Sequence, residues 1–457
     1  MQQKAILFLL SFLFLLFHLK SRKIFIPTGI RKIQFCIGLT FILFLISFSF
    51  RFLSCEESTA PVNKLQVTLT AEYVGVTEAE LLLQTKNAET NTQYQFFRDD
   101  FLISDRTLIQ AETIITDTLL LPAHNYTYKV KLLKKGKTLT ESQPLQITTM
   151  DTTSYNFTWE TFTSGTGGSS VLNDVSIISP DDIWAVGEIS FAGEFYNVVH
   201  WDGQQWELKR ITYGGSPWPI KSIWAFSSND IWFDVFVRWN GDIFVEMPIP
   251  NVLIGFGINK TWGNPNGGLY VVGNQGRIAY SPDHGQSWQK LESGTDLPIQ
   301  DIWGIPDPET GEPYILCPAS DKYNVGEKKL LQINPLTYEV TILEWPYQDR
   351  RIHSVWFKDP RRVWICGAGV YINKNGQWKE YSEIPLIFTN RIRGMDINDI
   401  FVAGDFGILA HFNGVIWKTY PNAALGLYYS MDYKNKIAVA VGQSDKQAII
   451  LMLKPVL

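Results

Sequence analysis

From about Asp174 to the C-terminus one pattern of apolar and polar positions recurs. A short apolar strand leads into a turn of Ser, Asn, Asp or Pro. A second strand ends in Gly, a third ends in an Asn-Gly or Asp-Gly turn, and a fourth is led by Trp. The clearest copy is Ser179-Pro180-Asp181-Asp182-Ile183-Trp184-Ala185-Val186-Gly187, continuing to His200-Trp201-Asp202-Gly203-Gln204-Gln205-Trp206. Short alternating runs bounded by such turns predict strands, and Asn-Gly or Asp-Gly suits a tight hairpin because both central residues need positive φ. Taking the residue six before the Asp that ends the turn as a marker gives Ser176, Trp224, Trp262, Trp303, Trp356, Arg393 and, after a short deletion, Ser430. The markers recur every ~42 residues, the length of a four-stranded unit.

Second strands are expected over residues 183–187, 231–235, 269–273, 314–317, 363–367, 400–404 and 437–442. Outer strands open at Trp206, Phe244, Trp288, Tyr338, Trp378 and Trp417. The seventh copy lacks its fourth strand, and the unattached fragment over residues 155–161, which contains Trp159, has that strand's form. Pairing the two closes a ring and removes exposed sheet edges. The expected fold of residues 154–457 is therefore a seven-bladed β-propeller closed by an N-terminal strand. Before it, residues 63–150 carry period-two runs at 65–71, 79–84, 93–97, 126–132 and 145–148. About seven short strands in such a length is the size of a β-sandwich, so the chain reads as all-β. Residues 1–54 hold two apolar runs, 5–19 and 35–50, separated by Lys20, Arg22, Lys23, Arg31 and Lys32. Basic residues, an apolar stretch and a small residue before a break describe a secretory signal. Neither run reaches the roughly 20 apolar residues that span a bilayer comfortably. The first run fits either translation starting after Leu19 or a helical hairpin in the membrane. Residues 55–62 are polar, hold a Pro and read as a tether.

Four stretches resemble known families. Ser54-Cys55-Glu56-Glu57 resembles a bacterial lipoprotein signal of the surface-displayed Bacteroidetes type, which implies lipidation of Cys55 as the mature N-terminus. Leu120-Leu121-Pro122-Ala123-His124-Asn125-Tyr126 resembles the corner of a fibronectin type III domain, which implies that the Tyr126 hydroxyl bonds back to the chain and pins the turn. Ser281-Pro282-Asp283-His284-Gly285-Gln286-Ser287-Trp288 resembles the Asp box of sialidase-like and photosynthetic-assembly propellers. That resemblance implies a structural turn in which Ser281, Asp283 and Ser287 bond the backbone, Gly285 takes positive φ and Trp288 anchors the outer strand. The repeat as a whole is similar to bacterial secreted propellers with the phrase Asn-Asp-Ile-Trp-Ala-Val-Gly. It implies the fold and leaves the function open.

A net charge of −5 and a pI near 5.8 show no nucleic-acid footprint. Four Cys exclude a disulfide-dense scaffold. Cys317 and Cys366 fall at equivalent positions of adjacent copies, on the same face, which predicts two buried thiols. The six His show no His-x-x-x-His or His-Glu-x-x-His spacing, so no metal is expected. No Gly-x-Ser-x-Gly elbow or phosphate loop appears, and no cofactor is implied. A sialidase needs three arginines, a Tyr-Glu pair and an acidic Asp, and no such pair stands out. The repeated Trp positions are core packing between sheets, because both faces of each sheet are covered. Ligand contacts are instead expected in the loops that join a fourth strand to the next first strand, or a second to a third. Those loops and their margins hold Trp218, Trp345, Tyr347, Arg350, Arg351, Arg391 and Arg393, with Tyr213 and Phe388. Aromatic residues with Arg are the usual interface anchors. The competing reading is that Trp218 and Trp345 only cap the stack. The function expected is a monomeric, non-catalytic lipoprotein of the bacterial envelope, at the outer-membrane surface or in the periplasm. Its propeller binds a protein or glycan, its sandwich is a spacer, and a lipid anchor or N-terminal helix holds it to the membrane. The alternatives are a propeller glycoside hydrolase or lyase, and a membrane-anchored envelope assembly factor.

Overall fold

The computed structural model describes residues 64–456, apart from 90, 167–169, 235, 265–267, 307–310, 312, 322–325, 422, 424 and 425. The signal segment expected over 1–54, the lipidation site Cys55 and the tether over 55–62 lie outside the described residues. Among the described residues no helix is long and apolar enough to cross a membrane.

The first part of the chain forms two sheets. Gln66–Val74, Glu78–Lys86 and Glu112–Thr118 make one. Phe101–Thr107, Gln93–Arg98, Asn125–Lys134 and Lys137–Glu141 make the other, where Leu145–Thr148 also pairs with Asn125–Lys134. Alternation along these strands buries Leu81, Leu83, Phe96, Tyr128, Val130 and Leu132. The two sheets share a polar tie: Asp117 of one accepts from Arg98 at 3.0 Å and from the Tyr128 hydroxyl at 2.8 Å, both of the other. The Tyr126 hydroxyl accepts the Leu121 N–H at 2.8 Å, pinning the turn before its own strand.

Residues 157–455 form seven four-stranded antiparallel sheets in chain order. Their first strands are Val171–Ser179, Ile223–Ser227, Ile258–Gly263, Trp303–Pro306, Ile352–Asp359, Thr389–Asp396 and Leu427–Lys434. In the seventh sheet the fourth strand is Phe157–Ser164, paired with Gln447–Pro455 from Ala448↔Ser164 to Pro455↔Phe157. The first strand of sheet seven also contacts that of sheet one. An apolar cluster fills the space between them, with Val175, Ile177 and Ile183 against Val439, Val441 and Ile450. The circuit of sheets is therefore closed, as in a β-propeller.

Three local rules explain the repeated phrase. The Asp that opens a second strand accepts the indole N–H of the Trp two residues on: Asp182 from Trp184 at 2.7 Å and Asp230 from Trp232 at 3.1 Å. The same carboxylates meet a third-strand cation or ring, His200 and Arg238, as Asp399 meets His411 at 2.7 Å. The Gly that ends a second strand faces a bulge in the first: a Cβ on Gly187 would lie 2.1 Å from the Val171 carbonyl, and the register shifts between Leu172 and Asp174. The marker Trp of one sheet also lies on the Gly that follows the marker in the next. Trp356 would meet a Cβ on Gly394 at 2.7 Å, and Trp262 one on Gly304 at 2.7 Å.

Two expectations of register are corrected. In the seventh sheet the position equivalent to Trp356↔Trp364 is Asp432↔Val439, so Asp432 and not Ser430 is the marker. The seventh sheet lacks the bulge that precedes this turn in sheets one, two, five and six, which brings its marker one residue closer to the second strand. Cys317 and Cys366 are buried and free, yet they are not equivalent. Cys366 lies two residues after Trp364, the partner of the marker Trp356, whereas Cys317 lies only one residue after Leu316, the partner of the marker Trp303. Cys317 thus packs toward sheet three and Cys366 toward sheet six, on opposite faces.

Candidate functional site

In each first strand, or just before it, one polar residue stands two positions before the marker. Around the ring these are Asp174, Ser222, Lys260, Asp301, Ser354, Arg391 and Ser430, all buried. They line the axis and satisfy one another. First strands are open edges whose N–H groups need partners, and the side chain of one sheet caps the next. Asp174 accepts the Ile223 N–H at 3.0 Å, Ser222 the Thr261 N–H at 2.7 Å and Ser354 the Ile392 N–H at 3.2 Å. Asp432 accepts the Ile177 N–H at 2.8 Å one level below, across the point of closure.

The charges at this level are paired. Lys260 meets Asp174 at 2.5 Å, and Ser430 donates to Asp174 at 2.7 Å. Asp301 takes Arg393 at 2.9 and 3.0 Å, and Arg391 as well. Burial alone would raise the Asp301 carboxyl; Arg391 and Arg393 more than offset this and hold it well below the usual carboxylate range. Arg393 also lies 4.8 Å over the Trp303 ring. Arg391 and Arg393, expected to meet a ligand, are thus inside the ring with protein partners.

The two ends of the ring differ. The turns between first and second strands and between third and fourth strands form one face. Residues 281–288 make such a turn: Ser281 donates to Asp283 at 2.9 Å and accepts the Gly285 N–H at 2.7 Å, and Asp283 accepts the Ser287 N–H at 2.7 Å and its hydroxyl at 2.6 Å. The Ser287 contacts pull the Asp283 carboxyl down to about 2. Gly285 has φ +83, and Trp288 donates to the Gly285 carbonyl at 3.2 Å. The two-sheet domain covers this face below sheets five and six. Arg362 there is 2% exposed, pairs with Glu80 at 2.7 Å and Asp359 at 2.8 Å, and stacks 3.2 Å over the Tyr73 ring.

The opposite face carries the other turns and the connections between sheets. Trp218 lies there, 56% exposed. Trp345 does not reach solvent: it is buried against Tyr347, Tyr371 and Trp378, and its indole N–H goes to the Tyr347 carbonyl at 2.8 Å. Arg350 pairs with Asp349 beside it. Arg351 is buried, 4.0 Å over the Phe388 ring, and donates to Asn390 at 3.4 Å. Asn390 then donates to Asp405 at 2.7 Å. This chain of contacts supports the turn that holds Phe406.

Phe406 is a residue the sequence reading passed over. It is 77% exposed at φ 58. Comparable turns between second and third strands place Ala192, Gln275 and Gly369 in that left-handed region. Phe236 has the same backbone but packs on Leu253, Phe256 and Ile258. Phe191, Ile249, Ile254, Leu386 and Phe388 are further exposed apolar side chains of this face. The available signal was an aromatic within a Gly-Asp-Phe-Gly turn, which apolar alternation does not register. Among the described residues no group of three His, Cys, Asp or Glu could hold a metal ion.

No family model matches the chain, and no curated protein matches it. Among solved structures it is similar to YCF48 bound to D1 peptide, with 18% identity over 65% of this chain and 95% of that one, TM-score 0.48. YCF48 from Cyanidioschyzon merolae gives 16% identity over 65% and 98%, TM-score 0.46. BamB from Moraxella catarrhalis gives 12% identity over 62% and 83%, TM-score 0.37.

Proposed function

We propose that this chain is a non-catalytic binding protein of the cell envelope: a seven-bladed propeller whose connection face docks a protein partner. A fibronectin type III-like sandwich carries the propeller, and the turn over residues 281–288 is an Asp box. The N-terminal segment holds the chain to the membrane, through lipid on Cys55 or through an apolar helix.

The observation that carries the reading is Phe406. A bulky side chain in the left-handed region costs about 1–3 kcal/mol and persists where the surroundings over-determine it. Here the surroundings are the Arg351–Asn390–Asp405 contacts, and the residue they hold up is 77% exposed. A protein partner fits better than a glycan, because the exposed set mixes Phe, Ile and Leu with Trp218. Trp218, Tyr347 and Arg350 belong to the proposed contact surface, and Trp345 and Arg351 support it from beneath. The test is a photo-crosslinking amino acid at position 406, 388 or 218, with position 242 on the turn face as reference, in cells that make the protein. One discrete protein adduct from the first three positions and none from the reference is expected. Equal labelling from all four positions rejects the face.

A further inference from the structure

The end of the sandwich farthest from the propeller is basic. Three connections meet there: residues 86–92, 108–111 and 134–137. Their proximity follows from register, since Gln93 faces both Thr107 and Leu133, and Thr85 bonds Ala111 at 2.8 Å. This end carries Lys86, Lys134, Lys135 and Lys137, all exposed, against Glu89 and Glu112. Lys134 pairs with Glu89 at 2.6 Å, leaving Lys86, Lys135 and Lys137 against Glu112 alone in a chain whose net charge is −5. The turn Lys134-Lys135-Gly136-Lys137 has φ 51 at Lys135 and φ 72 at Gly136. Asn or Gly would serve the first of those positions with less strain, yet a lysine is held there, pointing out of the fold. Beside the lysines stand two apolar side chains in water, Ile109 at 87% and Leu139 at 47% exposure.

We propose that this end of the sandwich rests on anionic lipid headgroups, which takes as its premise the membrane-anchored reading above. Charge complementarity argues for it. So does chain length: the apolar run that ends at Phe50 is followed by 15 residues before Gln66, which span at most about 50 Å when fully extended. Attraction between the lysines and a charged bilayer acts within a Debye length, about 8 Å at physiological salt. The segment limits how far the sandwich can stray from the bilayer, and the attraction holds it once it comes within that distance. A sandwich fixed to the propeller by buried contacts and seated on lipid becomes a post, with the connection face of the propeller turned away from the membrane.

The test uses the full chain reconstituted in vesicles of phosphatidylcholine, alone or doped with phosphatidylglycerol. A membrane-impermeant amine reagent is read by mass spectrometry at Lys135 and Lys137, with Lys436 and Lys446 as references. Labelling of Lys135 and Lys137 is expected to fall about threefold or more in the anionic vesicles and to return at high salt, with the references unchanged. Combining Lys86→Glu, Lys135→Glu and Lys137→Glu should abolish the fall at the remaining lysine, Lys134, while the chain stays with the vesicles. Equal labelling in both lipids, with the chain on the vesicles, overturns the proposal. If the chain fails to float with neutral vesicles, the anchored reading is what has failed. The proposal is then decided with anionic vesicles: flotation lost in the triple variant supports it, and no flotation overturns it.

Discussion

Asp301 sits among two guanidinium groups and two main-chain levels of the ring, out of contact with water. A buried carboxylate of this kind is worth little as a net attraction, but removing it strands its partners. Asp301→Ala should therefore lower stability by about 3–5 kcal/mol, measured by denaturant unfolding, while Ser430→Ala, which removes a bond to Asp174 and one from Arg391 but leaves both charges paired, should cost less, about 1.5–3 kcal/mol. Equal costs would show that the pairing is not what holds this level. Asp234 has the opposite environment. Burial, opposed by the Lys221 and Ser222 N–H groups and assisted by Asp174, pushes its carboxyl up to about 7. The folded form then holds a proton that the unfolded chain has released between about pH 4 and 7. Its contribution favours folding at low pH and is lost as pH rises through 7. Asp234→Asn should match the parent melting temperature near pH 4 and exceed it at pH 8, the gap opening across that window; a gap constant with pH would refute the shift.

Between elements, the strongest contacts are those in which one sheet's marker Trp lies on the next sheet's Gly. Gly394→Val should cost about 2–3 kcal/mol by forcing Trp356 aside. Combined with Trp356→Ala it should cost less than the sum of the two single changes, by at least about 1 kcal/mol in a double-mutant cycle; simple additivity would separate the two residues. The same contacts show what could be read from the chain. Trp, Gly and Asp-Ile-Trp recur at fixed offsets because each makes a repeated contact, so second strands were found to within a few residues, and the fragment expected over 155–161 overlaps the strand Phe157–Ser164. The bulge after Leu172, and its counterparts before Lys260, Ser354, Arg391 and Ser430, left no hydrophobic signal. Bulges shift register by one residue and reverse which face a side chain serves. Arg391 and Arg393 therefore read as loop-margin residues when they belong to the axis, and Trp345, named for its aromatic surface, is held by the neighbours that bury it. Phe406 escaped because its exposure depends on a backbone conformation and not on pattern.

For the whole molecule the decisive contact is the one between the N-terminal two-sheet domain and sheets five and six. Adjacent domains are commonly joined by linkers, and each part then melts by itself. This junction is built differently. Arg362 and Glu80 are both buried, Lys374 pairs with Glu78 at 2.6 Å, and Asn398 donates to the Asp151 carbonyl at 2.8 Å, fixing the connecting segment as well. Gly414 meets Val76 so closely that a Cβ would come within 2.4 Å of it. Charges withdrawn from water in this way tie the two parts together only while every partner is present. The intact chain should therefore unfold in one calorimetric transition. Arg362→Ala leaves Glu80 buried without its cation, at a cost of about 3–5 kcal/mol. That cost falls on the junction and not on either core, so the transition should divide in two, the sandwich melting first because its core is the smaller. Glu80→Gln with Arg362→Met, which removes both charges and keeps the volume, should restore a single transition. Two transitions in the parent, or one in Arg362→Ala, would mean that the sandwich is a bead on a string, and the orientation it gives to the connection face would go with it.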